Sequence, residues 1–360
     1  MQVDVLIIGQ GICGTFLSWY IQKAGLSFIV LDEPKPFTAS KAAAGLINPI
    51  TGRRLVKTWL IDDLMPFARS QYKNMGSELG IDCISEESVI DFFPSPQMRN
   101  AFLQRLTEDD SYLEQPTEEN AWLSVFKYDF GFGIIQPCLL VDLQSLLPEF
   151  RKKLMHAGRL LEEKFEVNAL DLGNSGIKYK QIQAKKIIFC DGIESFKQPF
   201  FKGLPFAPNK GEALVLEIPD LPVRKIFKKG MMIIPWKDGL FWVGSSYEWD
   251  FKDESPTLAF RDRTALMLEN WLRYPFKILE QFASVRPATI ERRPFVGFHP
   301  VCKNLGILNG MGTKACSLAP YFASQLAANL VNQSPIMKEV DINRYSRILG
   351  KAAFPETRKD

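Results

Sequence analysis

The sequence predicts a two-domain chain of mixed class, an α/β domain joined to an α+β one. Three observations carry this expectation. Its 360 residues correspond to about 2.4 domains at roughly 150 residues each, too many for one ordinary core. An apolar run, Val3 to Ile8, opens directly onto a glycine loop and is followed by a helical stretch and a second apolar run, Phe28 to Leu31, that ends at an acid. Further strand-like runs, Leu214 to Ile218 and Met231 to Pro235, recur far downstream.

Composition removes several classes. Apolar residues at 46% and charged residues at 24% are ordinary globular usage, which excludes disorder and fibres. The 27 Phe, 9 Tyr and 7 Trp supply bulk for a large core. The 44 Lys and Arg against 41 Asp and Glu leave +3, too slight a surplus to argue for a nucleic-acid footprint. With two histidines, His156 and His299, a multi-histidine metal site has almost no candidates, and no metal is expected. Six cysteines (13, 83, 138, 190, 302 and 316) are scattered without a C-x-x-C pair and read as reduced thiols. MQVDVLIIGQG is not a secretory leader, and no run reaches the roughly 18 apolar residues of a membrane span. The expectation is a cytoplasmic protein.

The first forty residues are the most informative. Gly9-Gln10-Gly11-Ile12-Cys13-Gly14 follows the first apolar run, Thr15 to Lys23 reads as a helix stopped at Gly25, and the second apolar run ends at Asp32. This is G-x-G-x-x-G in the setting its chemistry requires. Gly9 makes the turn, Gly11 lets a pyrophosphate approach the backbone, and Gly14 lets helix and strand pack closely. Ile12 and Cys13 lie in the loop ahead of the helix, whose first N–H groups and dipole favour phosphate. Asp32 is spaced to accept from an adenosine ribose, with Glu33 as a nearby competitor. The pattern predicts a Rossmann-like dinucleotide domain and leaves NAD and FAD equally open.

Ala39 to Pro49, ASKAAAGLINP, crowds small residues at Ala42, Ala43, Ala44 and Gly45, with Ser40 available as a cap. It reads either as a short helix approaching a ligand closely or as a small-residue packing helix. Arg53 and Arg54 follow in a turn, facing a phosphate or solvent. Near the other end, Leu305 to Asn309 opens into Gly310-Met311-Gly312-Thr313-Lys314-Ala315. This reads as a second glycine turn aimed at the same cofactor, with a helix beginning near Ser317 or Leu318 and Pro320 in its first turn. Arg286-Pro287 and Arg292-Arg293-Pro294 lie just upstream. An arginine ahead of proline is held extended; Arg286 is either a carboxylate clamp or a structural ion-pair partner. His299 reads as a packing residue.

In order along nearly the whole chain, VDVLIIGQGICG, ASKAAAGLINP, GIIQPCLLVDLQSLL, KKIIFCDG, MMIIPWKDGLFWVGSSYEWDFKDESPT, SVRPATIERRPFVGFHP and NLGILNGMGTKACSLAP resemble the FAD-dependent oxidoreductases of the D-amino-acid-oxidase group, which includes glycine and sarcosine oxidases. Two details, the Ser40 segment and Gly310 to Lys314, resemble the flavin domain of the bifunctional tRNA wobble-uridine modification enzyme, which has arginine at the position of Lys314. The resemblance implies a non-covalently held FAD and oxidation of the C–N bond of an amino acid or N-substituted glycine, with hydride passing to flavin N5 and the imine then hydrolysing. It implies a small-molecule amine substrate; tRNA is the alternative partner, through removal of a carboxymethyl group, and no motif assigns the electron acceptor. By motif position Arg286 holds a substrate carboxylate, Lys314 lies near flavin and carboxylate, and Leu46 lies near the reactive flavin face. Tyr247 and Trp249 are either substrate wall or aromatic core. A backbone contact from Val167 to the adenine side is implied, on a strand with Glu166. The same resemblance implies an FAD-binding domain from 1–80, 140–205 and 286–360, interleaved with a mixed-sheet substrate domain from 81–139 and 206–285. Arg224-Lys225 and Lys228-Lys229 form a basic cluster, read as a solvated face, and the tail from Lys351 reads as frayed.

Overall fold

The computed structural model describes residues 1–52, 54–173, 176–222 and 225–351. Arg53, Arg224 and the tail beyond Lys351 lie outside the described residues. The chain divides into two compact units. One comprises Met1–Lys41, Ser145–Asn209 and Val285–Asp360, the other Ala42–Gln144 and Lys210–Ser284. The main difference from the expected division is 42–80, which lies with the second unit. Strand Leu46–Ile47 pairs antiparallel with strand Phe132–Val141, and helix Ile61–Leu79 packs on that strand and on Ile84–Phe92. Those contacts outweigh sequence proximity to the glycine loop.

The first unit is built on parallel strands. β1 (Gln2–Ile8) lies between β2 (Phe28–Leu31) and strand Ile182–Phe189, parallel to both. Leu305–Asn309 runs parallel beyond Ile182–Phe189, and Leu160–Leu161 parallel beyond β2. Antiparallel additions come from Leu170–Gly173, Gly176–Tyr179 and Phe295–Phe298. β1 and β2 are continuous apolar runs because the parallel sheet is covered on both faces. The register fixes where the strands release their loops: Ile8 lies opposite both Leu31 and Phe189, and Phe189 opposite Ile307. Gly9, Asp32, Cys190 and Gly310 therefore leave neighbouring strands at the same carboxyl edge, where open α/β sheets bind ligands.

α1 (Ile12–Lys23) begins three residues earlier than its apolar pattern suggests and ends where expected, at Gly25 with φ +75°. It is buried nearly all round because the sheet covers one side and helix Ala315–Asn332 another. Phe16, Leu17 and Ile21 are fully buried, each contributing about 1.5–3 kcal/mol of apolar burial. Helix Ala315–Asn332 also starts early, because a 3₁₀ turn over Gly312–Lys314 leads straight into it. Pro320 consequently sits inside the helix, where it removes one backbone bond.

The second unit carries a nine-stranded mixed sheet among the described residues. Ile84–Phe92 pairs antiparallel with Phe132–Val141 and parallel with Ile226–Lys229. Aromatic side chains fill one of its cores: Phe126 stacks on Trp271 at 4.7 Å, and Phe92 stands 5.0 Å from Phe126 and 5.6 Å from Trp271. No helix among the described residues is long and apolar enough to cross a membrane.

Candidate active site

The three glycines of the first loop do three different things. Gly9 has φ +100°, and a Cβ there would lie 2.6 Å from the Cys190 carbonyl oxygen. A Cβ on Gly14 would lie 1.9 Å from the carbonyl oxygen of Gly9. Gly11 has ordinary extended geometry, and its added Cβ would meet only Ser40 Oγ, at 3.0 Å. Gly9 thus serves the turn, Gly14 the packing and Gly11 an open approach to the backbone. Ser40 lies on α2 (Ala39–Ala42) and caps α1 from outside, its Oγ accepting from the Ile12 N–H at 3.1 Å. Cys13 is buried, and burial pushes its thiol up to about 12, which makes it a packing residue.

Asp32 stands at the centre of a network that the sequence did not reveal. Its Oδ1 accepts from the Gln10 N–H at 2.7 Å and its Oδ2 from Arg151 at 2.6 Å. Arg151 also donates to Glu162 at 2.7 Å and to Gln10 Oε1 at 3.0 Å. A carboxylate has about four acceptor positions, so Asp32 retains capacity for a sugar hydroxyl. Glu33, the competitor, pairs with Lys35 at 3.2 Å.

The second turn is held from below. Gly310 and Gly312 have φ +79° and +55°, and the Gly312 N–H donates to the Pro287 carbonyl at 3.2 Å. Asn309, buried ahead of the turn, accepts from the Gly310 N–H at 2.8 Å and donates to Gly192 O at 2.7 Å and Ser195 Oγ at 2.9 Å. Ser195 donates in turn to Asp191 Oδ1. Asp191 Oδ2 is buried without a hydrogen-bond partner, and burial pushes this carboxyl up to about 7. This buried relay begins at Asp191, against which Gly9 packs, and ends at Gly310. Met311 is buried, Thr313 is exposed, and burial together with the Arg292 cation holds the Lys314 ammonium down to about 8.

Arg286, at the end of strand Lys277–Arg286, donates through Nη1 to Asn209 Oδ1 at 2.6 Å. Its neighbour Pro287 is the residue that anchors the second turn, so arginine and glycine turn are mechanically joined. Asn209 was not singled out by the sequence, since an asparagine opening a strand carries no motif.

Residues 4–329 match the family described as FAD dependent oxidoreductase. The chain belongs to that family. It is similar to the glycine oxidase of Bacillus subtilis (strain 168), 22% identical over 359 residues that cover 92% of this chain and 93% of the relative. Among solved structures it is similar to glycine oxidase from Geobacillus kaustophilus, with TM-score 0.79, 17% identity and coverage of 96% and 98%. Iminodiacetate oxidase from Chelativorans sp. BNC1 gives TM-score 0.73, 20% identity and coverage of 95% and 98%.

The cofactor of this FAD dependent oxidoreductase suits the residues present. The first loop offers a backbone surface at Gly11 that a Cβ would fill, the start of α1, an acid at the end of β2, and the relay carrying an unpartnered carboxyl oxygen. Val167 departs from its expected setting: it opens a 3₁₀ turn, Val167–Ala169, instead of lying on a strand, because the Ala169 N–H folds back onto the Glu166 carbonyl.

Ala44, Gly45 and Leu46 fall in the second unit, as does Tyr247. Gly45 has φ +85°, and a Cβ there would lie 1.9 Å from Val141 O. Leu46 pairs with Leu140, and both Ala44 and Leu46 pack against that unit's core. Tyr247 and Trp249 are each 60% exposed, so the aromatic-core alternative fails for both. The loop that carries them is anchored by Glu212, fully buried, whose backbone bonds Ser246 and whose carboxylate accepts from Thr257 N at 2.6 Å, Thr257 Oγ1 at 2.8 Å and Gln281 at 3.1 Å. His299 is fully buried with Nδ1 accepting from the Val301 and Cys302 N–H groups, and burial holds it down to about 4. It is a neutral packing residue.

Proposed function

We propose that the chain oxidises the C–N bond of an amino acid or N-substituted glycine, with Arg286 clamping the substrate carboxylate. The observation that carries this reading is the Arg286 guanidinium, held by Asn209 and joined through Pro287 to the Gly310–Lys314 turn. The first unit takes the role of FAD domain and the second that of substrate domain. Gly9, Gly11, Ile12, Cys13, Gly14, Asp32, Ser40 and Gly310 to Lys314 hold the cofactor in the first unit, with Val167 toward the adenine; Ala44 and Gly45 are assigned to the cofactor by motif position alone. The glycine oxidase and iminodiacetate oxidase relatives are named for carboxylate-bearing amines, which supports a substrate of that class.

FAD, when bound, would accept the hydride that leaves the carbon beside the amine, while the proton on the amine nitrogen passes to solvent. The protein's part is to orient and to select. Arg286 presents a planar fork that suits a carboxylate. Lys314, with its lowered affinity for protons, adds a compact positive charge below about pH 8. By motif position Leu46 is assigned to the apolar face at the reacting carbon, and the exposed Tyr247 and Trp249 to the substrate wall. Water then adds to the imine and the C–N bond breaks.

Anaerobic mixing with a panel of amino acids and secondary amines tests this reading. Bleaching of flavin absorbance is expected with carboxylate-bearing amines, and Arg286→Ala is expected to weaken their binding by about 2–5 kcal/mol. No bleaching with any amine refutes the reaction; unchanged kinetics in Arg286→Ala refutes the clamp. The alternative, a tRNA wobble-uridine enzyme, gains no support from the basic cluster. Lys228 pairs with Asp91 at 2.6 Å, while Lys225 donates to Ser88 and Lys229 to the Lys127 carbonyl.

A further inference from the structure

Asn209 opens strand Asn209–Glu217 and is 1% exposed. The chain just before it is laced to the chain just after Arg286: Ala207 N–H donates to Ala288 O at 2.7 Å, and Ile290 N–H to Pro205 O at 3.1 Å. The spacing of the two side chains is therefore set by backbone bonds. Arginine has donors only, so the amide of Asn209 must turn its oxygen to the guanidinium, and the 2.6 Å bond is unambiguous in direction. The same choice leaves the amide nitrogen on the other branch of the same planar group. That Nδ2 is buried and has no hydrogen-bond partner. Buried amide N–H groups are nearly always paired, and one left unpaired next to an anion-binding guanidinium has the chemistry of a donor waiting for an acceptor.

We propose that Asn209 is a positioning and specificity-determining residue, whose Oδ1 fixes the rotamer of Arg286 and whose Nδ2 gives the substrate's carboxylate a second hydrogen bond. This rests on the assignment of Arg286 as carboxylate clamp. It narrows the substrate class: a carboxylate engaging both groups is read by its two-oxygen geometry as well as its charge. An amine without the acid group, or with a methyl ester in its place, loses both contacts.

The test is binding of acetate, a non-reactive carboxylate, to the FAD-loaded enzyme, followed by the perturbation of flavin absorbance. Wild type is compared with Asn209→Ala, Asn209→Asp, Arg286→Ala and the Asn209→Ala/Arg286→Ala double variant. Asn209→Ala is expected to raise the acetate Kd about tenfold, the loss of one charge-assisted bond. Asn209→Asp keeps the shape and the bond to Arg286 but neutralises the cation and removes the donor, and is expected to raise Kd about a hundredfold. The two single losses are expected to be non-additive in the double variant. With a carboxylate-bearing substrate, KM rises while kcat stays within about threefold, a split that a merely structural role would not produce. If Asn209→Ala fails to fold, Asn209→Ser gives the same comparison. Acetate binding unchanged in both Asn209 variants, with Arg286→Ala weakened, overturns the role of Asn209 and leaves the clamp standing. Binding unchanged in Arg286→Ala, or absent in wild type, overturns the clamp and the proposal with it.

Discussion

Replacing Gly11 and Gly14 by alanine separates cofactor approach from packing. In Gly14→Ala the new methyl would sit 1.9 Å from a backbone oxygen, where ordinary contact begins at 3.4 Å, so loop and helix must part by about 1.5 Å. Alanine's helix preference returns about 1 kcal/mol, whereas overpacking against backbone costs about 1–3 kcal/mol or more. The clash wins, and a net loss of up to about 2 kcal/mol is expected in the apoprotein, before any ligand is considered. Gly11→Ala is the opposite case. Its backbone is already in a region open to all residues, and the obstacle is the Ser40 hydroxyl, which can swing aside by giving up its bond to the Ile12 N–H, so apoprotein stability is expected to fall by about 0.5–1 kcal/mol. The methyl instead thickens the surface over which a pyrophosphate must pass, and FAD affinity is expected to fall by about 2–3 kcal/mol, on the order of a hundredfold. Thermal unfolding of the flavin-free proteins and titration with FAD by fluorescence quenching measure the two quantities separately. A Gly11→Ala protein that binds FAD as tightly as wild type would refute the assignment of that backbone surface. An undiminished melting temperature for Gly14→Ala apoprotein would refute the packing argument.

The charged and titratable groups give three further outcomes. Lys314 loses its proton near pH 8, so acetate affinity is expected to decline as pH rises through that value, and Lys314→Met to give a flat profile; a wild-type profile that is itself flat from pH 7 to 9.5 contradicts the role. His299 binds a proton at about 4 when folded against 6.5 ordinarily, so between those values the unfolded chain holds more protons and stability falls with falling pH, by about 3 kcal/mol once below pH 4. Urea unfolding at pH 7 and pH 5 is expected to show a loss of about 2 kcal/mol that His299→Asn largely abolishes, and equal acid sensitivity in the variant counts against it. Asp32→Asn keeps the shape of the network but removes the charged acceptor, and FAD affinity is expected to drop by about 1.5–3 kcal/mol; an unchanged titration curve means that the ribose contact is elsewhere.

The fold class and the first loop were legible because their signals are local: an apolar run, three glycines at fixed spacing and an acid are all within 32 residues. Ser40 was visible as a capping residue, but not that it caps a different helix, since that depends on where the chain returns. Arg151, Asn209 and the Asp191–Ser195–Asn309 relay were not legible, because each acts on a partner more than seventy residues away or lies in a segment without a motif. Two clues were available in hindsight. Asp191 is an acid placed directly after an apolar run, in KKIIFCDG, and Asn309 stands immediately before the second glycine turn. The helix starts at Ile12 and Ala315 were misplaced by two or three residues because glycine turns wind directly into them, while hydrophobic periodicity begins only in the next turn.

The parallel pairing of β1 also dictates an order of events during synthesis. Its flanking strand Ile182–Phe189 is separated from it by more than 170 residues, and Leu305–Asn309 comes later still. Pairing at such separations carries a large loop-closure cost and is slow. On a ribosome the first glycine loop therefore emerges long before the strand that supports Gly9, and the second turn only when most of the chain is out. A product interrupted before Leu305 would carry the fingerprint yet lack the far wall of its own site. Flavin colour in a preparation of this protein is therefore expected to report on chains extended past the second glycine turn.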